Sequence, residues 1–185
     1  MDRKVAGGNE LLNPERILKE VGIGYGNVVG DLGCGGMGYF TLQAGKLVGD
    51  KGQVYAVDVV KTVLPSIETR AKLEGLNNIK TIWSNLEVLG ATRIKESSLD
   101  FTLVINVLFQ SKKQREILEE AIRLLRKNGK LVVVDWSTSR APLGPAIKDR
   151  VPLEKIEAMA QSLNLKKEKT FEAGPYHYGF VFVKQ

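Results

Sequence analysis

Three glycines and an aspartate are the residues of this sequence whose types and spacing indicate chemistry. Val28 and Val29 open a short buried strand, after which Gly33, Gly35 and Gly38 form a G-x-G-x-x-G turn. Glycine is needed where the backbone bends tightly and lies against a ligand, because a Cβ atom would obstruct it. Asp58 ends the next apolar run, twenty positions after Gly38, where a carboxylate can accept hydrogen bonds from both ribose hydroxyls. The combination predicts a binding site for an adenosine-containing cofactor.

A second acid, Asp31, narrows the choice of cofactor. It precedes Gly33 by two residues, which we expect to place its carboxylate at the mouth of the glycine loop. A pyrophosphate would be repelled there, since two like charges about 4 Å apart interact by roughly 4 kcal/mol at an effective dielectric constant near 20. A ligand with a cationic ammonium and a sulfonium suits the same carboxylate. The alternative is that Asp31 only caps a helix or stabilises the turn.

The elements that must position these residues alternate between strand and helix. A helix begins with Asn13 as its N-cap and Pro14 in its first turn. Gly75 and Gly129 are expected to end the helices that precede them. The βαβ alternation implies a parallel sheet with right-handed crossovers and helices on both faces. Apolar periodicity predicts strands at 27–33, 53–58, 79–84, 100–109, 130–136, 166–173 and 179–184, and helices at 38–48, 62–74, 112–126 and 153–163.

The order of motifs along the chain resembles that of class I S-adenosylmethionine-dependent methyltransferases. Residues 31–38 resemble their first motif, and Asp58 resembles the acid of their second. Residues 78–85, 99–109 and 124–134 are similar to their third, fourth and fifth strands. The likeness covers nearly the whole chain and is closest to the small-molecule type of ubiquinone and menaquinone biosynthesis. In two departures, Asn128 stands where proline is usual, and Asn85 replaces the aspartate that meets the adenine amino group.

The resemblance implies one α/β, Rossmann-like, doubly wound domain. Its sheet is expected to have seven strands, mostly parallel, with a C-terminal antiparallel hairpin. Residues 1–26 are expected to form an N-terminal helical segment, and 27–185 the cofactor-binding methyltransferase domain. The implied cofactor is S-adenosyl-L-methionine, with S-adenosyl-L-homocysteine as product. Its expected contacts are Asp31, Gly33, Cys34, Gly35, Gly38, Asp58, Val59, Asn85, Leu86 and Asn106.

The acceptor side of the site is expected after the fourth and fifth strands and at the hairpin. Phe109 and Gln110 lie at the end of the fourth strand, and Trp136 ends the fifth; each can line the methyl-transfer pocket or simply pack. Tyr176 is a further candidate wall in the last turn. His177, the only histidine, is expected in the same turn, where an imidazole that titrates near neutrality can act as a general base. The alternative for His177 is a structural role.

Composition excludes several classes of protein. The single cysteine rules out a disulfide framework, and no Cys/His cluster suggests zinc. Asn106 and Asp135 can supply at most two metal ligands, so no metal is expected. No signal peptide is apparent, and the longest apolar run, 103–109, is too short to cross a bilayer, so a cytoplasmic protein is expected.

Charge leaves the partner open. The chain has 27 basic and 21 acidic residues, a net charge of +6. Its basic clusters at 112–115, 123–130 and 166–169 are either solvated faces or a nucleic-acid surface. The sequence therefore predicts a methyltransferase acting on a small-molecule or lipid-like acceptor, with no prediction of oligomeric state. The alternatives are an RNA or protein methyltransferase, a nicotinamide-dependent oxidoreductase, and a module that holds the cofactor without turnover.

Overall fold

A computed structural model describes residues 11–185, which contain seven strands and five helices. The strands are β1 Val28–Leu32, β2 Gln53–Asp58, β3 Ile79–Trp83, β4 Leu99–Ile105, β5 Leu125–Trp136, β6 Leu165–Gly174 and β7 His177–Lys184. The helices are α1 Pro14–Glu20, α2 Tyr39–Val48, α3 Leu64–Leu73, α4 Gln114–Leu124 and α5 Leu153–Ser162. Short 3₁₀ turns lie at Lys61–Val63, Leu108–Gln110 and Ile147–Asp149. The predicted N-terminal segment 1–26 lies in part outside the described residues.

All seven strands form one sheet in the order β3-β2-β1-β4-β5-β7-β6. The first five strands pair in parallel, and β7 pairs antiparallel with both β5 and β6. The chain progresses outward from β1 to β3 and then returns to place β4 on the other side of β1. This reversal is the topological switch point at which open α/β sheets bind ligands. The predicted fold class is confirmed.

Helices cover both faces of the sheet. Ile17 and Leu18 of α1 and Phe40 of α2 are buried on one face, against Val132 and Val181. On the other face, the buried stripe of α4 packs with α5 and alternate residues of β5 and β7. The α4 stripe consists of Ile117, Leu118, Ala121 and Leu124. The sheet is thus buried on both sides, which explains why its central strands read as almost continuous apolar runs.

The helix boundaries agree with the sequence except at the end of α4. Asn13 caps α1 by accepting a hydrogen bond from the Arg16 N–H at 2.9 Å, as predicted. Gly75 follows α3 with a φ of +69°, also as predicted. Gly129, by contrast, does not end a helix, because α4 stops at Leu124 and the chain becomes extended at once to pair with β4.

Candidate cofactor site

A cavity of about 510 Å³ opens at the carboxyl ends of β1, β2 and β3, beside the topological switch point. Six of the ten predicted cofactor contacts line it, and so does Gln110, which was predicted on the acceptor side. The lining residues are Gly33, Gly35, Asp58, Val59, Val60, Val63, Asn85, Leu86, Glu87, Val107, Gln110, Ser111 and Ile117. The remaining four predicted contacts, Asp31, Cys34, Gly38 and Asn106, lie behind or beside it.

The glycine loop is shaped by two positions that only glycine fits without cost. Gly33 has a φ of +86°, and a Cβ atom there would lie 2.4 Å from Cγ2 of Val107. Gly35 has a φ of +63°, but a Cβ atom on it would meet nothing within 4 Å. Gly33 is therefore required for packing, whereas Gly35 borders open space where a ligand can approach the backbone.

Asp58 connects the end of β2 to this loop. One carboxylate oxygen accepts the N–H of Gly35 and the other accepts the N–H of Val60, each at 2.9 Å. The side chain lies at the cavity wall. Each carboxylate oxygen can accept a second hydrogen bond, so the group retains the capacity to bind ligand hydroxyls.

Asp31 is buried and does not line the cavity. Its carboxylate is buried under α2, where it accepts a hydrogen bond of 2.6 Å from the Thr41 hydroxyl. Burial raises the pKa of Asp31 to about 6, against the opposing effect of the Thr41 hydrogen bond. The side chain supports the start of α2, which is the alternative that the sequence left open.

Cys34 and Gly38 do not line the cavity but shape the glycine loop. The Cys34 side chain is buried with Ala56, Leu64 and Ile67. Burial raises the pKa of its thiol, so the group stays protonated. Gly38 is the N-cap of α2, with a φ of +59°. Both residues shape the turn through packing and backbone conformation.

The loop after β3 forms the opposite wall and adds a residue that sequence reasoning missed. The Asn85 side-chain oxygen accepts the N–H of Glu87 at 2.9 Å, which turns the chain. Glu87 lines the cavity and accepts a 2.6 Å hydrogen bond from the Ser111 hydroxyl. Its other oxygen lies 3.9 Å from the Lys113 ammonium. The sequence held no motif for Glu87, only an acid two positions after Asn85.

The charge of the cavity lining is negative. Asp58 and Glu87 are its only ionisable residues among those that the structure describes, so no lysine, arginine or histidine borders it. Unlike charges attract and like charges repel most strongly where water is partly excluded. The lining therefore suits a cationic ligand and disfavours a pyrophosphate.

Two of the predicted acceptor-side residues, Phe109 and Gln110, lie in the turn after β4 and have different surroundings. Asn106 is buried in the left-handed region with a φ of +56°, and its carbonyl oxygen accepts the side-chain amide of Gln110 at 2.6 Å. Phe109 packs against the core, and its N–H donates to Asp135 at 3.2 Å. Burial raises the pKa of Asp135 to about 6. Of the predicted acceptor-side residues in this turn, Gln110 is the one that borders the cavity.

His177 is the first residue of β7 rather than part of the hairpin turn, because it pairs with Trp136 across the sheet. The two rings are in contact at a tilt of 40° with centroids 4.2 Å apart, and the Arg150 guanidinium lies 5.3 Å from the centroid of the Trp136 ring. Both imidazole nitrogens are buried without a hydrogen-bond partner in the described part of the chain. Burial, and then the charge of Arg150, lower the pKa of His177 to about 4. The imidazole is therefore neutral at pH 7 and a weak base.

Trp136, Tyr176 and His177 form a group apart from the cavity. Trp136 is buried, and Tyr176 is half-buried in the turn, where its carbonyl oxygen accepts the Ser137 N–H at 2.8 Å. None of the three lines the 510 Å³ cavity. Residues 11–185 contain no group of three His, Cys, Asp or Glu side chains placed to hold a metal ion. Within the same residues, no helix is long and apolar enough to span a membrane.

The sheet order, the glycine loop and the acid at the end of β2 define a class I methyltransferase fold. The family model described as a methyltransferase domain matches residues 24–174, and the chain belongs to this family. The predicted family and enzyme class are confirmed.

The individual relatives share about a quarter of their aligned residues with this chain. The ubiquinone/menaquinone biosynthesis C-methyltransferase UbiE of Marinomonas sp. (strain MWYL1) is 25% identical over 162 residues, which cover 87% of this chain. The chain spans 63% of that relative's length. A SAM-dependent methyltransferase structure from Aquifex aeolicus superposes with a TM-score of 0.87 at 24% identity, covering 96% of this chain and 92% of the other.

The fold by itself leaves the reaction open. The structure of the [4+2]-cyclase SpnF superposes with a TM-score of 0.76 at 13% identity, covering 92% of this chain and 80% of the other. Structural likeness at this level of identity shows the fold alone. The reaction must therefore be argued from the site.

Proposed function

We propose that the chain is an S-adenosylmethionine-dependent methyltransferase whose acceptor is a small or lipid-like molecule. The observation that carries the proposal is the negative cavity beside the glycine loop, lined by Asp58 and Glu87 and by no basic residue of the described chain. S-adenosylmethionine carries a sulfonium and an ammonium, whereas the nicotinamide dinucleotides carry a pyrophosphate. The cavity charge favours the first class of ligand.

The residues present fit this cofactor. The open space in front of Gly35 allows backbone approach, and Asp58 keeps acceptor capacity for the ribose hydroxyls. Val59 and Leu86 are apolar groups for the two faces of adenine, and the exposed carboxamide of Asn85 is available to its edge. When bound, the cofactor supplies a methyl group on a positively charged sulfur, which is an activated leaving group.

The protein's part in such a transfer is mainly to align the acceptor and exclude water. Gln110 is a polar side chain at the cavity, held by the Asn106 carbonyl oxygen, and can orient an acceptor. His177 is neutral and packs against the Trp136 ring, so a hydrogen-bonding role suits it better than proton abstraction at neutral pH. No strong general base is needed where the acceptor atom is already nucleophilic.

Two observations support a small acceptor. Relatives named for ubiquinone and menaquinone biosynthesis match most of this chain. In addition, most of the basic clusters are neutralised by acids. Ion pairs join Arg115 to Glu119, Arg123 to Glu120, Arg126 to Asp100, Lys130 to Glu168, Lys167 to Glu157 and Lys169 to Glu20. Because these basic side chains are paired with carboxylates, they attract nucleic-acid phosphates less strongly than the net charge of the chain suggests.

The test is thermal stability in the presence of S-adenosylmethionine, S-adenosylhomocysteine and NAD in parallel. A ligand at about 100 times its Kd stabilises by roughly 2.7 kcal/mol, which for a domain of this size raises the Tm by about 5–10 °C. A rise with the two sulfur ligands and none with NAD is expected. A rise with NAD alone would overturn the proposal. Transfer of labelled methyl groups to lipid and small-molecule extracts, compared with RNA, then tests the acceptor class.

A further inference from the structure

The loop between β3 and β4 is fastened to α4 by a buried carboxylate, Glu120. Its two oxygens accept the backbone N–H of Gly90 at 2.7 Å and of Thr92 at 3.0 Å. The same carboxylate receives two hydrogen bonds from the Arg123 guanidinium, at 2.8 and 2.9 Å. Arg123 also donates to the Thr92 carbonyl oxygen at 3.0 Å. The Glu120–Arg123 ion pair therefore bonds both backbone N–H groups and a backbone carbonyl oxygen of the loop.

The charge of Glu120 is maintained despite burial. Burial alone would raise the pKa of this side chain, but the Arg123, Gly90 and Thr92 donors outweigh it and lower the pKa to about 2. Hydrogen bonds that involve an ionised partner are shorter and stronger than neutral ones. Gly90 has a φ of +80°, so a glycine is suited to the backbone turn from which its N–H reaches Glu120.

The fastened segment leads directly to the cofactor cavity. The Thr92 hydroxyl lies 3.1 Å from the Ser84 hydroxyl, which closes the loop at its base. The next three residues after Ser84 are Asn85, Leu86 and Glu87, all of which line the cavity. Leu86 and Ile94 are buried in the same apolar cluster as α4. A change at Gly90 or Thr92 is therefore transmitted to the cavity wall over a few bonds of backbone.

We propose that Glu120 is a positioning residue for the cofactor: by holding Gly90 and Thr92, it sets the place of the Asn85–Glu87 wall. The inference rests on the proposed function and deepens it, since it names a side chain outside the cavity that determines cofactor affinity. Glu120 does not line the cavity and reaches it only through the loop. An ion pair that only stabilised α4 would not need two backbone donors from another segment.

The experiment compares Glu120→Gln with Glu119→Gln in the same helix. Glutamine keeps the size of glutamate but turns an N–H₂ group towards a backbone N–H or Arg123. Glu119 is a matched control, because it also pairs with an arginine of α4, Arg115, but at the exposed surface. Calorimetry with S-adenosylhomocysteine gives Kd, and hydrogen exchange of the ligand-free proteins reports the Gly90 and Thr92 amides.

For Glu120→Gln we expect folded protein, a Kd raised about tenfold or more and faster exchange at both amides, because a binding group displaced by about 1 Å can lose up to about 100-fold. For Glu119→Gln we expect a Kd within about twofold of wild type. Folded Glu120→Gln with the wild-type Kd overturns the inference, as does a raised Kd with unchanged loop exchange.

A second variant decides the matter if Glu120→Gln does not fold. Thr92→Val leaves the ion pair and both backbone donors in place and removes the hydroxyl, which lies 3.1 Å from the Ser84 hydroxyl and also hydrogen-bonds to Glu120. A Kd raised about threefold or more supports positioning through the loop, and an unchanged Kd overturns it. Wild-type protein that binds neither sulfur ligand would instead overturn the proposed function, and the inference with it.

Discussion

The backbone N–H of Gly35 donates a hydrogen bond of 2.9 Å to the carboxylate of Asp58, and both residues line the cofactor cavity. The contact links the two motifs that the sequence had separated by more than twenty residues. Because the second oxygen holds the N–H of Val60, the carboxylate is fixed in orientation by backbone donors on both sides. The acid that would meet the ribose is therefore ordered by the fold itself, which lowers the entropy that binding must overcome.

Replacing Asp58 by Asn should weaken cofactor binding while the protein stays folded. An amide retains the shape of the side chain but places an N–H₂ group against the N–H of Gly35 or Val60 and removes a negative charge from the cavity. We expect the Kd for S-adenosylhomocysteine to rise about tenfold or more, equivalent to about 1.4 kcal/mol or more. Calorimetry measures this directly. Asp50→Asn is the control, since Asp50 bonds to Tyr25 at 2.7 Å away from the cavity; equal affinity for both variants would contradict the assignment.

Alanine at two glycines of the same loop should act on different properties: mainly stability at Gly33 and mainly cofactor affinity at Gly35. At Gly33 the added methyl group lies 2.4 Å from Val107 and the φ is +86°, so we expect a loss of about 2–4 kcal/mol in the free energy of unfolding. At Gly35 the methyl group meets no protein atom, so stability should fall by only about 1–2 kcal/mol from the positive φ, whereas cofactor affinity should fall clearly. Urea unfolding and calorimetry separate the two. A Gly35→Ala variant with unchanged affinity would show that the ligand does not approach this backbone.

Much of this site could be predicted because it depends on local spacing. The G-x-G-x-x-G turn and the acid ending β2 fix Gly33, Gly35 and Asp58 whatever the rest of the chain does. Asp31 could not be assigned in the same way. A strand of a parallel sheet is buried on both faces, so alternation does not reveal whether a residue at its end points to the loop or to the helix packed above it. The structure shows that Asp31 faces Thr41 in α2.

The remaining residues depend on contacts between distant segments. Glu87 lies in a loop with no motif, and Glu120 reads in the sequence as one acid among the charges of an amphipathic helix. Its burial follows only from the path of a loop some thirty residues earlier. For His177, the sequence placed the start of β7 two residues too late, because His177 and Tyr178 were assigned to the turn that Gly174 and Pro175 begin. Strand ends are set by pairing, here with Trp136.

Replacing His177 by Ala should lower turnover more than cofactor affinity. The imidazole lies in the Trp136 group and not in the cofactor cavity, so we expect a Kd for S-adenosylhomocysteine within about twofold of wild type. Because the pKa of His177 is lowered to about 4, it is already neutral above pH 5 and should contribute no inflection near pH 6.5 to the wild-type rate. Steady-state kinetics between pH 5 and pH 8 check both points, once an acceptor is known. An inflection near pH 6.5 that disappears in the variant would restore the general-base interpretation.

Replacing Thr41 by Val should destabilise the protein in a pH-dependent manner. The variant removes the hydroxyl that donates to Asp31 at 2.6 Å and leaves a buried carboxylate with less support. At pH 8 Asp31 is ionised, because its pKa in the folded protein is about 6, and we expect a loss of about 1–3 kcal/mol in the free energy of unfolding.

At pH 5 the same substitution should cost less. Burial raises the pKa of Asp31 above its unfolded value of 3.8, so the folded state binds more protons than the unfolded state between about pH 4 and pH 6. Lowering the pH through this window therefore stabilises wild type, and it stabilises the variant from a higher pH, because loss of the Thr41 hydrogen bond raises the pKa further. Urea unfolding at pH 5 and pH 8 measures the difference. Thr69→Val is the control, since that hydroxyl bonds only to the Pro65 carbonyl oxygen, at 2.9 Å, on the surface of α3. A Thr41→Val loss that is equal at the two pH values would mean that Asp31 is not the group through which Thr41 stabilises the fold.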